Sequence, residues 1–210
     1  MNGRGHAAQT YAVDRLAALS DGVFAVAVTL LVLGIKLPDP PLPEKELIHE
    51  LVDNIPAFFG WLVSFLVLAR FWIVHHHVMN ALAQVSTKAI MWNFAFLGTI
   101  SLLPFGASLV GAYEFEAAGP FVVFSIGLGL AGFTLGLFTQ HVVRAEGLLR
   151  ERQHDLDAIW RHHGLVVPLV ALVAAAAAFL HPAAALLVLV AESLAIVVGR
   201  LRAQDPGPSS

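Results

Sequence analysis

The run Arg15-Leu-Ala-Ala-Leu-Ser-Asp-Gly-Val-Phe-Ala-Val-Ala-Val-Thr-Leu-Leu-Val-Leu33 decides how the whole chain is read. Only Gly22 to Ile35 is free of charge there. That length alone fits a signal-peptide core or a buried soluble helix as well as a membrane span. Charge placement separates these readings. If the run is kept as a spanning helix, Arg4, Arg15, Arg70, Lys88, Arg144, Arg150, Arg152, Arg161, Arg200 and Arg202 all fall on one side of the membrane. Only Lys36 and Lys45 fall opposite, among Asp39, Glu44, Glu46, Glu50, Asp53, Glu114 and Glu116. Positive charge is retained on the cytoplasmic side, so both termini are expected in the cytoplasm. Deleting the run as a cleaved leader would scramble this asymmetry.

Working outward, the other apolar stretches follow the same rule that about 20 apolar residues cross a bilayer as a helix. Six spans are expected: Asp14 to Leu37, Ile55 to Val78, Ala89 to Gly111, Ala117 to Gln140, Gly164 to Leu180 and Pro182 to Leu201. The chain is 210 residues long, 58% hydrophobic and 13% charged, with a mean hydropathy of +0.76, which excludes a soluble globular domain. It has no Cys, so thiolate catalysis, disulfides and zinc-thiolate sites are excluded as well. The net charge of -3 and the lack of a basic, aromatic-rich run exclude a nucleic-acid surface. Three regions result: a cytoplasmic N-terminus at 1-13, a six-helix transmembrane domain at 14-202 with its first helix at 14-37, and a disordered tail at 203-210. Pro38-Asp-Pro-Pro-Leu-Pro43 reads as a stiff outer turn. His141 to Arg161 reads as a cytoplasmic extension of the fourth helix.

Polar residues inside membrane helices cost ~3 kcal/mol when charged, so their positions carry information. Ser20 and Asp21 lie about two turns into the first helix, near Arg15. The second helix brings Arg70 and His75-His76-His77 towards its cytoplasmic end, and the third starts there with Trp92 and Asn93. Asp21, a His and Asn93 are therefore expected at one depth, bonded to each other as a clamp between helices or, in a sharper reading, as a proton relay through Asp21 and His75. Consecutive His side chains fan about 100° apart around a helix, which disfavours a single metal or haem site.

Val26, Thr29, Leu30 and Leu33 follow at i, i+3, i+4 and i+7 on one face of the first helix. By itself such a stripe fits lipid contact or packing as readily as a pore lining, and the Thr29 hydroxyl can bond back to its own helix.

These residues resemble the endosomal and lysosomal potassium channel family in its bacterial and archaeal branch, whose first helix carries Arg, then Phe-Ser-Asp, then an Ile/Leu/Thr-rich run. Trp72 with His75, Asn93, and Leu103-Pro104-Phe105 extend the likeness, which covers Asp14 to Phe105. Leu19 replaces the family's Phe before Ser-Asp, and Val26 replaces a larger Ile or Leu. The resemblance implies an all-α polytopic homotetramer in the inner (plasma) membrane, with one first helix per subunit around a common pore. It implies an apolar constriction at Val26, Leu30 and Leu33, a hydroxyl ring at Thr29 past which potassium moves, and an inter-helix polar network of Arg15, Ser20, Asp21, His75, Trp92 and Asn93. No Thr-Val-Gly-Tyr-Gly filter occurs in the sequence.

The resulting expectation is a passive potassium-preferring cation channel, passing potassium and other monovalent cations, with no enzyme activity, no cofactor and no structural metal. A proton-conducting or proton-coupled transporter using Asp21, His75 and Glu192 is the first rival, and a haem-bearing subunit the second. Gly127-Leu-Gly-Leu-Ala-Gly132 matches a dinucleotide-binding pattern, but no strand precedes it, so these glycines and Gly136 are read as helix-packing positions. Glu192 is expected to pair with a neighbouring helix. His162-His163 and His181 are expected at the membrane boundary, solvated there.

Overall fold

The computed structural model describes residues 3–35, 42–113, 117–145, 149 and 155–192. Most of the Pro-rich turn, Glu114, Glu116, the end of the sixth expected span and the tail at 203-210 lie outside these residues. The architecture is all-α. Helix α1 spans Gly3–Leu30 and tightens into a 3-10 turn at Leu31–Gly34, followed by α2 (Glu44–Asp53), α3 (Ile55–Ala81), α4 (Thr87–Ala112) and α5 (Ala118–Arg144). Then come α6 (Asp155–Arg161), a π-helical turn at His162–Val166, α7 (Val167–Ala178) and a shorter apolar helix, α8 (Pro182–Glu192). Among the described residues there is no strand, only an isolated bridge between Leu82 and Leu149.

Five helical stretches are long and apolar enough to cross a membrane: Val13–Gly34, Ala57–Ala81, Thr87–Ala112, Ala118–Arg144 and Leu156–Ala178. Their ends follow local chemistry. Proline occupies the first turn of α3, where its missing N–H costs nothing. Ser86 caps α4, its hydroxyl accepting the Ala89 amide at 3.1 Å. The same Ser86 hydroxyl lies 3.1 Å from His141 Nε2 near the end of α5, which ties two helix ends together.

Two expectations about the second half are corrected. The fourth spanning helix does not continue through His141 to Arg161: α5 stops at Arg144, Ala145 is extended, and Asp155–Arg161 opens the next helix instead. The fifth span, expected from Gly164, starts at Leu156, because the π turn carries the helix through His162 and His163 without a break.

Helix α5 forms the centre of the subunit. Buried residues make up 56% of its apolar stretch against 28% for α1. Glycines set its distance from α7. A Cβ on Gly132 would stand 2.6 Å from Val167 Cγ1, and one on Gly136 would overlap the Gly164 backbone. The helices therefore meet backbone to backbone, as small residues allow in a medium where association depends on packing. The π turn, with its one wide turn of backbone, falls at this contact.

Candidate functional site

Helix α1 presents two faces. One is enclosed by the subunit: Leu16, Ser20, Phe24, Ala27 and Leu31 are all buried. The opposite face is open and apolar, with Leu19 45%, Val26 58%, Leu30 41% and Leu33 75% exposed, and Thr29 exposed among them. Val26, Leu30 and their neighbours, with Ser101 of α4, border an open groove along this face. The sequence stripe therefore lies on the outside of the subunit.

Its geometry differs from a uniform α-helix. Because Leu31–Gly34 is 3-10 helical, side chains three apart eclipse, and Leu33 lies directly beyond Leu30. With rises of about 1.5 Å and then 2.0 Å per residue, Val26 to Leu33 covers roughly 12 Å, longer than a continuous α-helix would give. The Thr29 hydroxyl donates to the Val26 carbonyl at 2.9 Å. Its proton is thereby used inside the helix, and its oxygen lone pairs remain available as acceptors. At the end of the turn Gly34 lies against α4: a Cβ there would stand 2.8 Å from Ser108 Oγ.

The buried face is pinned by polar bonds. Ser20 Oγ donates to the Leu16 carbonyl at 2.8 Å, and Asn93 Nδ2 donates to Ser20 Oγ at 3.1 Å. The Asn93 amide is thus oriented with Oδ1 facing His75, and His75 Nε2–H donates to it at 2.7 Å. All three residues are fully or almost fully buried. The His75 ring stacks on Phe96 and Phe138, with centroids 5.3 and 5.9 Å apart, and meets Phe24 at 5.9 Å. One chain of hydrogen bonds consequently joins α1, α3 and α4, and it terminates on a backbone carbonyl.

Asp21 does not join that chain, contrary to its expected contact with a His and Asn93. One residue beyond Ser20, it is turned by about 100° and accepts the Trp72 indole N–H at 2.8 Å on the exposed side. His76 stacks on Trp72 at 5.2 Å. Arg15 is also on the exposed side of α1, and Trp92 packs half-buried against the core without a hydrogen bond in this network. Of the three consecutive His residues only His75 turns inward.

A second polar cluster lies elsewhere in the subunit. Arg70 donates from Nη1 and Nη2 to the two carboxylate oxygens of Glu192 at 2.6 and 2.8 Å, and His162 Nε2 lies 3.4 Å from Glu192 Oε1. His163 is buried, its Nδ1 3.2 Å from the Ile159 carbonyl and its ring edge-on to Phe71. These two His residues are therefore engaged inside the protein, which corrects the expectation that they sit solvated at the boundary. Sequence reasoning missed Trp72 as the partner of Asp21. The Arg70–Glu192 pairing had a usable signal, since each is a charge of opposite sign within an apolar stretch.

The sequence profile of the family described as "Endosomal/lysosomal potassium channel TMEM175" matches residues 15–104, the stretch containing these α1, α3 and α4 contacts. A curated relative, a potassium channel of Chamaesiphon minutus, is 31% identical over 155 residues, covering 71% of this chain and 76% of that protein. The zebrafish (Danio rerio) endosomal/lysosomal proton channel TMEM175 is 28% identical over 111 residues, which is 50% of this chain and 21% of that longer protein. Among solved structures, that of a lysosomal potassium-selective channel TMEM175 homolog from Chamaesiphon minutus superposes with a TM-score of 0.78 at 25% identity. It covers 90% of this chain and 97% of that one.

Proposed function

This chain belongs to the TMEM175 family of endosomal/lysosomal potassium channels, and from that premise we propose that it is a potassium-preferring channel whose conducting form is a homotetramer around four copies of α1. Potassium is the permeant species and no chemical step is involved. The observation that supports the pore assignment most directly is the division of α1. Its polar residue Ser20 is fixed inside the subunit, while Val26, Thr29, Leu30 and Leu33 face out, where a single subunit leaves them uncovered. A lone subunit contributes one such helix, so several must assemble to enclose an axis. Rings of Leu and Val then make a poorly hydrated constriction, and the Thr29 oxygens offset part of the hydration an ion loses in passing.

In this reading α8 belongs to the sixth span and both termini face the cytoplasm of the cell that carries the channel in its inner (plasma) membrane. The excess of Lys and Arg on that side supports the orientation. The acidic helix α2 then lies at the outer mouth.

Proton conduction is the alternative, supported by the exposed Asp21 carboxylate on the flank of α1 that faces Trp72 of α3 and by what the zebrafish relative is named for. The buried bonds argue against a route through His75, since protons would have to cross the Asn93 amide and Ser20 and then stop at the Leu16 carbonyl. Potassium flux from liposomes containing only this protein, measured with and without a pH gradient, tests the two. Flux that follows the potassium gradient at equal pH supports the channel; flux that requires the pH gradient overturns it. Native mass spectrometry in mild detergent tests the assembly, and a stable monomer or dimer as the conducting species would sink it.

A further inference from the structure

Leu33 and Gly34 are neighbours at the end of the 3-10 turn and face different ways. Successive residues on such a turn lie about 120° apart, so Gly34 shares the side of buried Leu31, and Leu33 the side of Leu30. Gly34 is pressed against the outer end of α4. A Cβ on it would stand 2.8 Å from Ser108 Oγ and 3.2 Å from Ser108 Cα, and a Cβ on Gly111 would stand 3.3 Å from the Gly34 carbonyl oxygen. Two glycines, one on each segment, thus let backbone rest on backbone. Leu33 itself is 75% exposed, so its own subunit packs little around the side chain, and the backbone beside it decides where it sits.

Helix α4 stands behind α1 along its length, from the Asn93–Ser20 bond through the Phe96–Phe24 ring contact to Ser108. We infer that Gly34, Ser108 and Gly111 are positioning residues for permeation: their contact holds the end of α1 back against α4 and so sets how far Leu33 reaches towards the axis. The inference rests on the reading of α1 as the pore helix. A methyl group added at this contact finds no free volume in a close-packed interior, and it pushes the end of α1 off α4, out of the subunit. Four such displacements narrow the constriction. A narrower apolar ring strips more water from each ion, and sodium, which holds its water more tightly than potassium, is slowed more.

The test is potassium flux from liposomes together with reversal potentials under bi-ionic potassium and sodium. It compares the wild type, Gly34→Ala, Gly111→Ala, each of these two combined with Ser108→Ala, and, as references, Leu33→Ala and Gly119→Ala, the latter with nothing within 4 Å of the added Cβ. Gly34→Ala and Gly111→Ala are expected to lower flux and to raise the potassium-to-sodium permeability ratio about twofold, a difference of ~0.4 kcal/mol between the barriers of the two ions. That ratio does not depend on how many channels are folded, so lost stability alone leaves it where it was. Ser108→Ala removes the atom nearest the new methyl of Gly34→Ala and should return that variant part of the way to wild type. It should leave Gly111→Ala unimproved, because the methyl there meets the Gly34 carbonyl. If Gly34→Ala does not assemble, Gly111→Ala, with the looser contact, carries the test. An unchanged or lowered ratio in the glycine variants, or no rescue by Ser108→Ala, overturns the inference while a raised flux in Leu33→Ala upholds the pore reading. A wild type that releases no potassium, or a silent Leu33→Ala, brings down the pore reading and this inference with it.

Discussion

Arg70 and Glu192, 122 positions apart in the chain, meet as a bidentate pair in which both carboxylate oxygens accept guanidinium N–H groups. The side chains are 22% and 15% exposed, so most of each is shielded by protein. Two charges in the apolar part of a membrane protein are each costly alone, and the pairing offsets the cost while fastening α8 to α3.

Removal of one partner is therefore expected to be worse than removal of both. Arg70→Met or Glu192→Leu leaves a shielded charge uncompensated, with an expected loss of ~3–5 kcal/mol, whereas the double variant should recover most of it. Thermal unfolding of the three variants in one detergent checks this, and additive losses would show that the pair does not couple the helices.

Ser20→Ala leaves the buried Asn93 amide without an acceptor for Nδ2 and is expected to cost about 1–3 kcal/mol. His75 loses its orienting contact in the same step, since the Asn93 amide becomes free to rotate. The same unfolding assay reads the stability. The His75 ring resonances by NMR should move in Ser20→Ala and remain in place in a distant control such as Gly119→Ala, a position with nothing within 4 Å of an added Cβ.

Asp21 and Trp72 should behave as a separate unit. In a double-mutant cycle of Asp21→Ala and Trp72→Phe, a coupling of about 1 kcal/mol is expected between them and none between Asp21 and Asn93. Coupling of Asp21 to Asn93 instead would place the carboxylate back in the buried chain of bonds.

Thr29→Val keeps the shape and removes the oxygen. It should bring the reversal potential under bi-ionic potassium and sodium closer to zero, with total cation flux changed little. Leu30 and Leu33 are exposed on one subunit; if they line the proposed constriction, Leu30→Ala and Leu33→Ala should widen it and raise flux for both ions. Three variants indistinguishable from wild type in both readouts would mean that this face of α1 does not line the path.

Gly136→Ala should abolish recovery of folded protein, since its methyl group overlaps the Gly164 backbone and no side chain can yield there. Yield on size-exclusion chromatography, with Gly119→Ala as the tolerated control, checks it.

Hydropathy made the all-helical class and the first four spans legible, since a long apolar run has few other places to go. The open face of α1 was legible too, because Val26, Leu30 and Leu33 follow the i, i+4, i+7 spacing that puts residues on one side of an α-helix. Depth along the membrane, however, says nothing about rotation. Ser20 and Asp21 have the same depth, and only tertiary packing decided that Ser20 turns to Asn93 and Asp21 to Trp72. The start of the fifth span was misread because His162 and His163 look interfacial when the partner of His162, Glu192, is thirty residues further on in another helix. The 3-10 turn left no trace in the composition of Leu31-Val-Leu-Gly34. It ends where Gly34 comes close against Ser108, a contact between segments far apart in the chain.

That turn changes the shape of the obstruction an ion would meet. With Leu33 eclipsing Leu30 and each residue rising about 2.0 Å, the two side chains stand in line about 6 Å apart. In the proposed symmetric assembly they would form the wall of a short tube, where staggered positions would form separate diaphragms. A diaphragm is crossed in one step, with water waiting on either side. A tube must be wetted along its whole length before anything passes, so its resistance depends on how long the wall is as well as how narrow. Converting the turn to regular α-helix would shorten the wall and rotate Leu33 out of line with Leu30, leaving every side chain chemically unchanged.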